Sequence, residues 1–176
     1  MPLVTREKVD VPDGVEVKVS GQAIEVSGKR GKVTRSFDFK GLKIILEGRT
    51  VTAEMDSVAR KGKAAIGTFK AHLLNMFKGV TEGYAYKLRV VYSHFPITVK
   101  AETKRFLVTN FLGERSSRVA DIVGDTTVEV KGDEVVVKGI DKDQVGQTAI
   151  NIEKSTSVKH RDLRTFQDGI YIFEKL

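Results

Sequence analysis

Three histidines, one pair of aspartates and one glycine-flanked basic loop are the residues whose types could carry chemistry. Metal binding would need His72, His94 or His160 to have a second histidine or a carboxylate at ligand spacing, such as four residues on along a helix face, and none does. His72 follows Phe69 by three on a helix-like stretch and reads as a boundary side chain. His94 precedes Phe95-Pro96 at a strand-to-strand turn, and His160 lies inside Lys159-His160-Arg161. Asp141 and Asp143 stand where a helix-like segment begins, and carboxylates there favour the positive end of the helix dipole, a capping role that outweighs a catalytic pair. No Gly-x-Ser-x-Gly elbow, phosphate-cradling loop or dinucleotide fingerprint occurs. The expectation is no catalytic residue, no metal, no cofactor and no small-molecule substrate: the chain does not read as an enzyme.

The chemistry that remains is the binding of phosphate by cations. Gly28-Lys29-Arg30-Gly31 has the spacing of the backbone clamp of KH-type RNA-binding domains. That clamp joins two helices, whereas this loop lies between strand-like runs at Ala23–Ser27 and Lys32–Phe39, so the KH reading fails. A basic hairpin tip remains suited to a phosphate or an acidic protein. Arg60, Lys61 and Lys63 enter a helix at its N-terminal end, where cations oppose the dipole unless an anion compensates. In the second half, Lys154, Lys159, His160, Arg161 and Arg164 cluster after a helix, and Lys104, Arg105, Arg115 and Arg118 fall in hairpin regions that could share a face with them.

Thirty Lys and Arg against twenty-three Asp and Glu give a net charge of +7 and a pI near 9.5. Such a surplus suits a polyanion, because each phosphate neutralised releases condensed counterions. It also suits a solubilising charge with no such partner. Residues 1–82 hold 15 basic and 10 acidic residues and residues 83–176 hold 15 and 13, so net charge points to the first half while the local cluster points to the second. Absence of cysteine removes disulfides and thiolate metal sites and fits a reducing compartment. No apolar run reaches the roughly 18 residues of a membrane span, and the start has no apolar leader core, so a soluble, cytoplasmic chain is expected.

The elements that must position these residues are written twice. At a constant offset of 82, VEVKVSGQAIEVSGKRGKVTRSF (15–37) falls on ITVKAETKRFLVTNFLGERSSRV (97–119), matching Val15 with Ile97, Val17 with Val99, Val26 with Val108, Gly31 with Gly113 and Phe37 with Val119. The apolar residues keep one period-two phase, as two copies of a half-buried strand pair require. LKIILEGRTVTAEM (42–55) resembles TVEVKGDEVVVKGI (127–140), each split by a Gly-x turn at Gly48-Arg49 or Gly132-Asp133. A helix over 57–79 follows, with Ile66, Phe69, Leu73, Met76 and Phe77 on one face, Ser57 as its cap and Gly79 as its end. Its counterpart over 142–155 buries Val145, Ala149 and Ile152. Each half reads as five strands and a helix. The fold class is α+β: two tandem duplicated domains, 1–82 and 83–176 (the second with a C-terminal tail), each antiparallel β-sheet with one helix packed on a face.

These segments resemble the large-subunit ribosomal protein L-six family in its archaeal and eukaryotic form, called L-nine in eukaryotes. The resemblance is carried by Gly67-Thr68-Phe69-Lys70-Ala71-His72-Leu73-Leu74-Asn75-Met76, Gly79-Val80-Thr81-Glu82-Gly83-Tyr84, Asp141-Lys142-Asp143-Gln144-Val145-Gly146-Gln147 and the tail from Lys159-His160-Arg161 to Gly169-Ile170-Tyr171. It covers nearly the whole chain, and the tail lacks the Lys-Gly-Lys-Gly stretch of the bacterial form. The resemblance implies a ribosome-bound structural protein contacting large-subunit rRNA near the sarcin-ricin loop and the stalk base, beside neighbouring ribosomal proteins. It also implies that the second domain is the main rRNA binder, through Lys104, Arg105, Arg115, Arg118, Lys154, Lys159, His160, Arg161 and Arg164. Lys29, Arg30, Arg60, Lys61 and Lys63 are left as secondary RNA or protein contacts. The rival expectation is a protein-interaction module for an acidic partner, without RNA.

Overall fold

The computed structural model describes residues 5–55 and 60–176. The chain divides into two compact units, Met1–Gly83 and Tyr84–Leu176.

In the first unit, strands β1 (Thr5–Asp10), β2 (Glu16–Ser20), β3 (Ala23–Gly28), β4 (Gly31–Ser36), β5 (Leu42–Glu47) and β6 (Thr50–Met55) precede helix α1 (Arg60–Thr81). They form two antiparallel sheets, ordered β1-β6-β5 and β2-β3-β4. The alternation that predicted the strands also makes the core: Ile24, Val26, Val51 and Ala53 point inward against Ile66, Phe69 and Leu73 of α1, all at most 1% exposed. Phe37 sits edge-on to Phe69 at 4.8 Å.

β1 is a sixth strand that the pattern did not reveal. It is the charged edge run TREKVD, in which only Val9 is buried, so pairing with β6 rather than apolar alternation defines it. The Gly48-Arg49 turn joins β5 to β6 as expected, with φ +61 at the glycine and Glu47 paired to Thr50. Gly79 does not end α1. It is buried inside the helix, which runs on to Thr81, and Gly83 (φ +80) makes the exit, its N–H and that of Glu82 both reaching the carbonyl of Lys78. Ser57 lies outside the described residues.

In the second unit, β7 (Tyr84–Val91), β8 (Thr98–Ala101), β9 (Arg105–Thr109), β10 (Arg118–Asp121), β11 (Thr127–Lys131) and β12 (Glu134–Gly139) precede α2 (Lys142–Ser155), and β13 (Gly169–Lys175) follows it. The sheets are ordered β10-β9-β8 and β11-β12-β7-β13. Leu88, Val135, Val137, Phe106 and Val108 meet Val145, Ala149 and Ile152 of α2 in one core. Asp141 caps α2, its carboxylate accepting the Asp143 N–H at 2.9 Å, which is the structural role expected of that pair.

Register shows where the two copies part. Val26 and Val108 stand 82 residues apart, but their partners Val33 and Arg118 stand 85 apart. The second copy therefore carries three extra residues between β9 and β10. The matches of Gly31 with Gly113 and Phe37 with Val119 fail there: Phe37 is 2% exposed and Val119 50%, whereas Ile122, at offset 85, is buried like Phe37. Among the described residues β13 has no counterpart in the first unit either. Among the described residues no helix is long and apolar enough to cross a membrane.

Candidate nucleic-acid interface

Three segments of the second unit converge at the end of the sheets where β7 stops and β8 begins. They are the β7–β8 connection (92–97), the enlarged β9–β10 loop (110–117) and the tail after α2 (156–168). Asn110, in left-handed conformation at φ 61, donates through Nδ2 to the Pro96 carbonyl at 3.0 Å. Leu112 (φ 50) and Gly113 (φ 76) are also left-handed, and the Phe95 ring lies flush on Gly113, in contact range of where a side chain would start. A non-glycine residue such as Leu112 keeps that conformation only where its surroundings over-determine it. Here Leu112 and Phe111 are buried, 8% and 1% exposed, beneath the loop that presents Arg115.

Arg118 is the strut of this end. Its Nε donates to Glu114 Oε2 at 2.8 Å and one terminal nitrogen to Oε1 at 2.6 Å. The other terminal nitrogen donates to the carbonyls of Ser155 (2.9 Å) and Ser157 (3.0 Å) at the end of α2, and the guanidinium lies 4.3 Å over the Phe111 ring. Four of its five N–H groups thus serve protein acceptors, including carbonyls at the negative end of a helix dipole. Expected among the phosphate contacts, Arg118 spends these four donors on protein acceptors. Glu114 is held below the usual carboxylate range, first by the Arg118 hydrogen bonds and also by the charges of Arg118 and Arg161, against the opposing effect of burial.

The tail is fastened by contacts that no spacing rule could have found, because the partners are 75 residues apart. Asp168, 1% exposed, accepts the Ser93 N–H at 2.8 Å and the Ser93 hydroxyl at 2.9 Å through Oδ1. His94 Nδ1 lies 3.4 Å from Oδ2, and the His94 ring stacks on Phe166 at 5.0 Å. Burial alone would raise the Asp168 carboxyl; the Ser93 amide and hydroxyl and His94 together outweigh it and hold the group low. Ser, His and Asp meet here, but the Ser93 hydroxyl donates to the carboxylate and lies 3.1 Å from the same His94 nitrogen that faces it. That arrangement is a clip, not a nucleophile backed by a base. Arg161 lies 4.8 Å over the Phe166 ring, and the Asp162 carboxylate accepts the Arg164 N–H at 3.0 Å, the local turn that sets Arg164 outward.

The candidate cations are therefore not one patch. Arg115, Lys154, Lys159, His160, Arg161 and Arg164 belong to the loop end, and His160 takes a left-handed φ of 58 in the tail. Lys104 and Arg105 lie at the other end of β9: Arg105 pairs with Asp121 and Val108 with Arg118, about 10 Å along the strand at three residues' rise. In the first unit Lys29 and Arg30 are docked at the C-terminal end of α1, the Arg30 N–H donating to the Val80 carbonyl at 3.1 Å. Arg60, Lys61 and Lys63 sit exposed in its first turn, which has no acidic residue, about 25 Å away by helix rise.

Pairing separates the loop-end cations from those on the outer face of the four-stranded sheet. On the outer face of the four-stranded sheet, Lys87 meets Glu174 at 2.6 Å, Lys138 meets Glu129 at 2.8 Å and Arg89 meets Glu134 at 3.8 Å. Among the described residues, Arg115, Lys154, Lys159, Arg161 and Arg164 form no ion pair with a carboxylate. No group of described side chains is arranged to hold a metal ion.

A family model described as Ribosomal protein L6 matches residues 11–83 and 95–169, one match in each unit. Curated relatives named large ribosomal subunit protein uL6 include that of Methanocella arvoryzae, 47% identical with 96% of each chain covered. Those of Methanothrix thermoacetophila and Aeropyrum pernix are 48% and 46% identical, covering 96% of this chain and 96% and 93% of theirs.

Proposed function

The chain belongs to the ribosomal protein L6 family, and from that premise we propose that it is a structural constituent of the large ribosomal subunit, bound to rRNA through the loop end of its second unit. It is a structural protein of archaeal type, not an enzyme. The observation that carries the interface is the cluster of unpaired cations on the enlarged β9–β10 loop and the tail, beside a sheet face whose cations are neutralised. Unpaired Lys and Arg fix a protein on phosphates, and a rigid scaffold beneath them selects RNA shape more than base sequence. The additions that distinguish the second copy from the first, the longer loop and the tail with β13, are the parts that build this end.

Within the subunit, the resemblance to archaeal and eukaryotic members favours a seat near the sarcin-ricin loop and the stalk base, among neighbouring ribosomal proteins and on cytoplasmic ribosomes. There the protein would support the region where translation factors dock. Lys104 and Arg105 would then reach a separate stretch of RNA backbone, and Lys29, Arg30, Arg60, Lys61 and Lys63 make secondary contacts.

The test is protection of large-subunit rRNA from chemical cleavage by the full chain. Arg161→Glu with Arg164→Glu should abolish specific protection without loss of folding. Unchanged protection sinks the site. A wild-type chain that protects no rRNA but co-purifies with an acidic protein favours the rival reading.

A further inference from the structure

We propose that the groove between the end of α2 and the tail is a slot for an unpaired RNA base, stacked on Tyr171. This deepens the rRNA-binding reading above and rests on it.

The groove encloses about 360 Å³, near the lower end of the roughly 300–1,000 Å³ of small-ligand pockets, a size for one flat ring system. Its apolar walls are Val158, Leu163, Phe166 and Tyr171. Leu163, 64% exposed, is the most exposed large apolar side chain among the described residues, and Tyr171 beside it is 44% exposed. Tyr171 is held as a platform. Its hydroxyl donates to the Gln167 carbonyl at 3.1 Å, and its ring lies so close over Gly169 that a side chain there would begin 3.1 Å from it. One side of the ring is thus backed by main chain while the residue stays open to the groove. Gln167, which also lines it, spends its side-chain N–H on the Arg164 carbonyl, and its side-chain oxygen takes no protein donor among the described residues.

Charge selects the occupant. Lys154 lines the groove, Lys159 and Arg164 adjoin the lining residues Val158 and Leu163, and Arg161 sits over Phe166. The carboxylate in the wall, Glu153, is turned to the Ile172 N–H of β13 at 3.2 Å. Apolar walls rimmed by unpaired cations match a strand that presents a π-face and a phosphate at each step. Stacking of that kind tolerates any base, because every base has such a face.

The probes are oligoadenylate and the fully paired oligoadenylate–oligouridylate duplex, titrated with the full chain at one salt concentration. Tyr171→Leu should weaken oligoadenylate binding roughly five- to hundred-fold and leave duplex binding unchanged, since paired bases cannot enter. Tyr171→Phe, which keeps the π-face and loses only the tie to Gln167, should retain most of the single-strand binding, and Leu163→Ala, at an exposed position that does not threaten folding, should weaken the single strand alone. Equal loss on both probes, or no loss from either Tyr171→Leu or Leu163→Ala, overturns the slot and leaves the cationic interface standing. Wild-type failure to bind either probe overturns the RNA reading itself.

Discussion

Arg118 clasps Glu114 through both carboxylate oxygens, at 2.8 and 2.6 Å, four residues along a loop rather than along a helix. With two further donors on Ser155 and Ser157, the same guanidinium ties the β9–β10 loop to the end of α2. Arg118→Ala should therefore act on folding, costing about 2–3 kcal/mol in urea unfolding, because charged hydrogen bonds and a half-buried carboxylate's partner disappear together. Arg118→Lys should recover only part of this, since a point charge cannot span the same acceptors. A loss of RNA affinity with no loss of stability would show that the residue touches RNA directly.

Arg161, Arg164, Lys159, Lys154 and Arg115 should behave the opposite way. Replacing any of them with Ala should leave the unfolding midpoint within about 0.5 kcal/mol. Each should reduce the slope of log affinity against log salt by about one, the five together contributing about −4 to the wild-type slope if all meet phosphates. Lys104→Ala and Arg105→Ala should weaken binding additively with these, being on another part of the unit. Filter binding across a salt series reads all of it, and a flat salt dependence would count against a phosphate interface.

The duplicated strands and both helices were legible because burial imposes a period on sequence: 2 in the strands, 3.6 in α1 and α2. β1 was not legible, since an edge strand held by main-chain pairing needs only Val9 inside. The basic residues of the site were legible by type, but their grouping was not. Whether Arg118 faces solvent or Glu114 depends on the register of β10, which the three extra loop residues shift. The Ser93–Asp168 clip joins residues too far apart in the chain for any spacing to announce it.

That clip should make the tail sensitive to acid. The Asp168 carboxyl titrates below its ordinary 3.8 in the folded chain, so its contribution is complete above that value and is lost as pH falls through the lower folded value. Asp168→Asn should lower stability at neutral pH by about 1–3 kcal/mol, because the buried Ser93 donors lose a charged acceptor. It should also flatten the acid limb of the stability–pH curve. Glu114 adds the same sign of dependence below its ordinary 4.5, and that part should vanish in Arg118→Ala instead. Urea midpoints between pH 2 and 6 separate the two; an acid limb unchanged in Asp168→Asn would refute the assignment.

In the first unit, Gly28 is needed for space and Gly48 for conformation, and alanine distinguishes them. A Cβ at Gly28 would lie 2.8 Å from Val80 Cγ2, 2.9 Å from its Cβ and 3.0 Å from its carbonyl oxygen. Val80 is fully buried and β-branched, so it cannot swing aside. The hairpin tip must lift instead, breaking the Arg30 N–H bond to the Val80 carbonyl, at a cost of about 1–3 kcal/mol. Gly48 has open space around it but a φ of +61, so alanine there costs only left-handed strain, about 1–2 kcal/mol, and displaces no neighbouring side chain. Amide exchange tells them apart where stability does not: Gly28→Ala should speed exchange at Arg30 selectively, and Gly48→Ala should not. Protection of Arg30 in the Gly28 variant equal to wild type would mean that α1 yields rather than the hairpin.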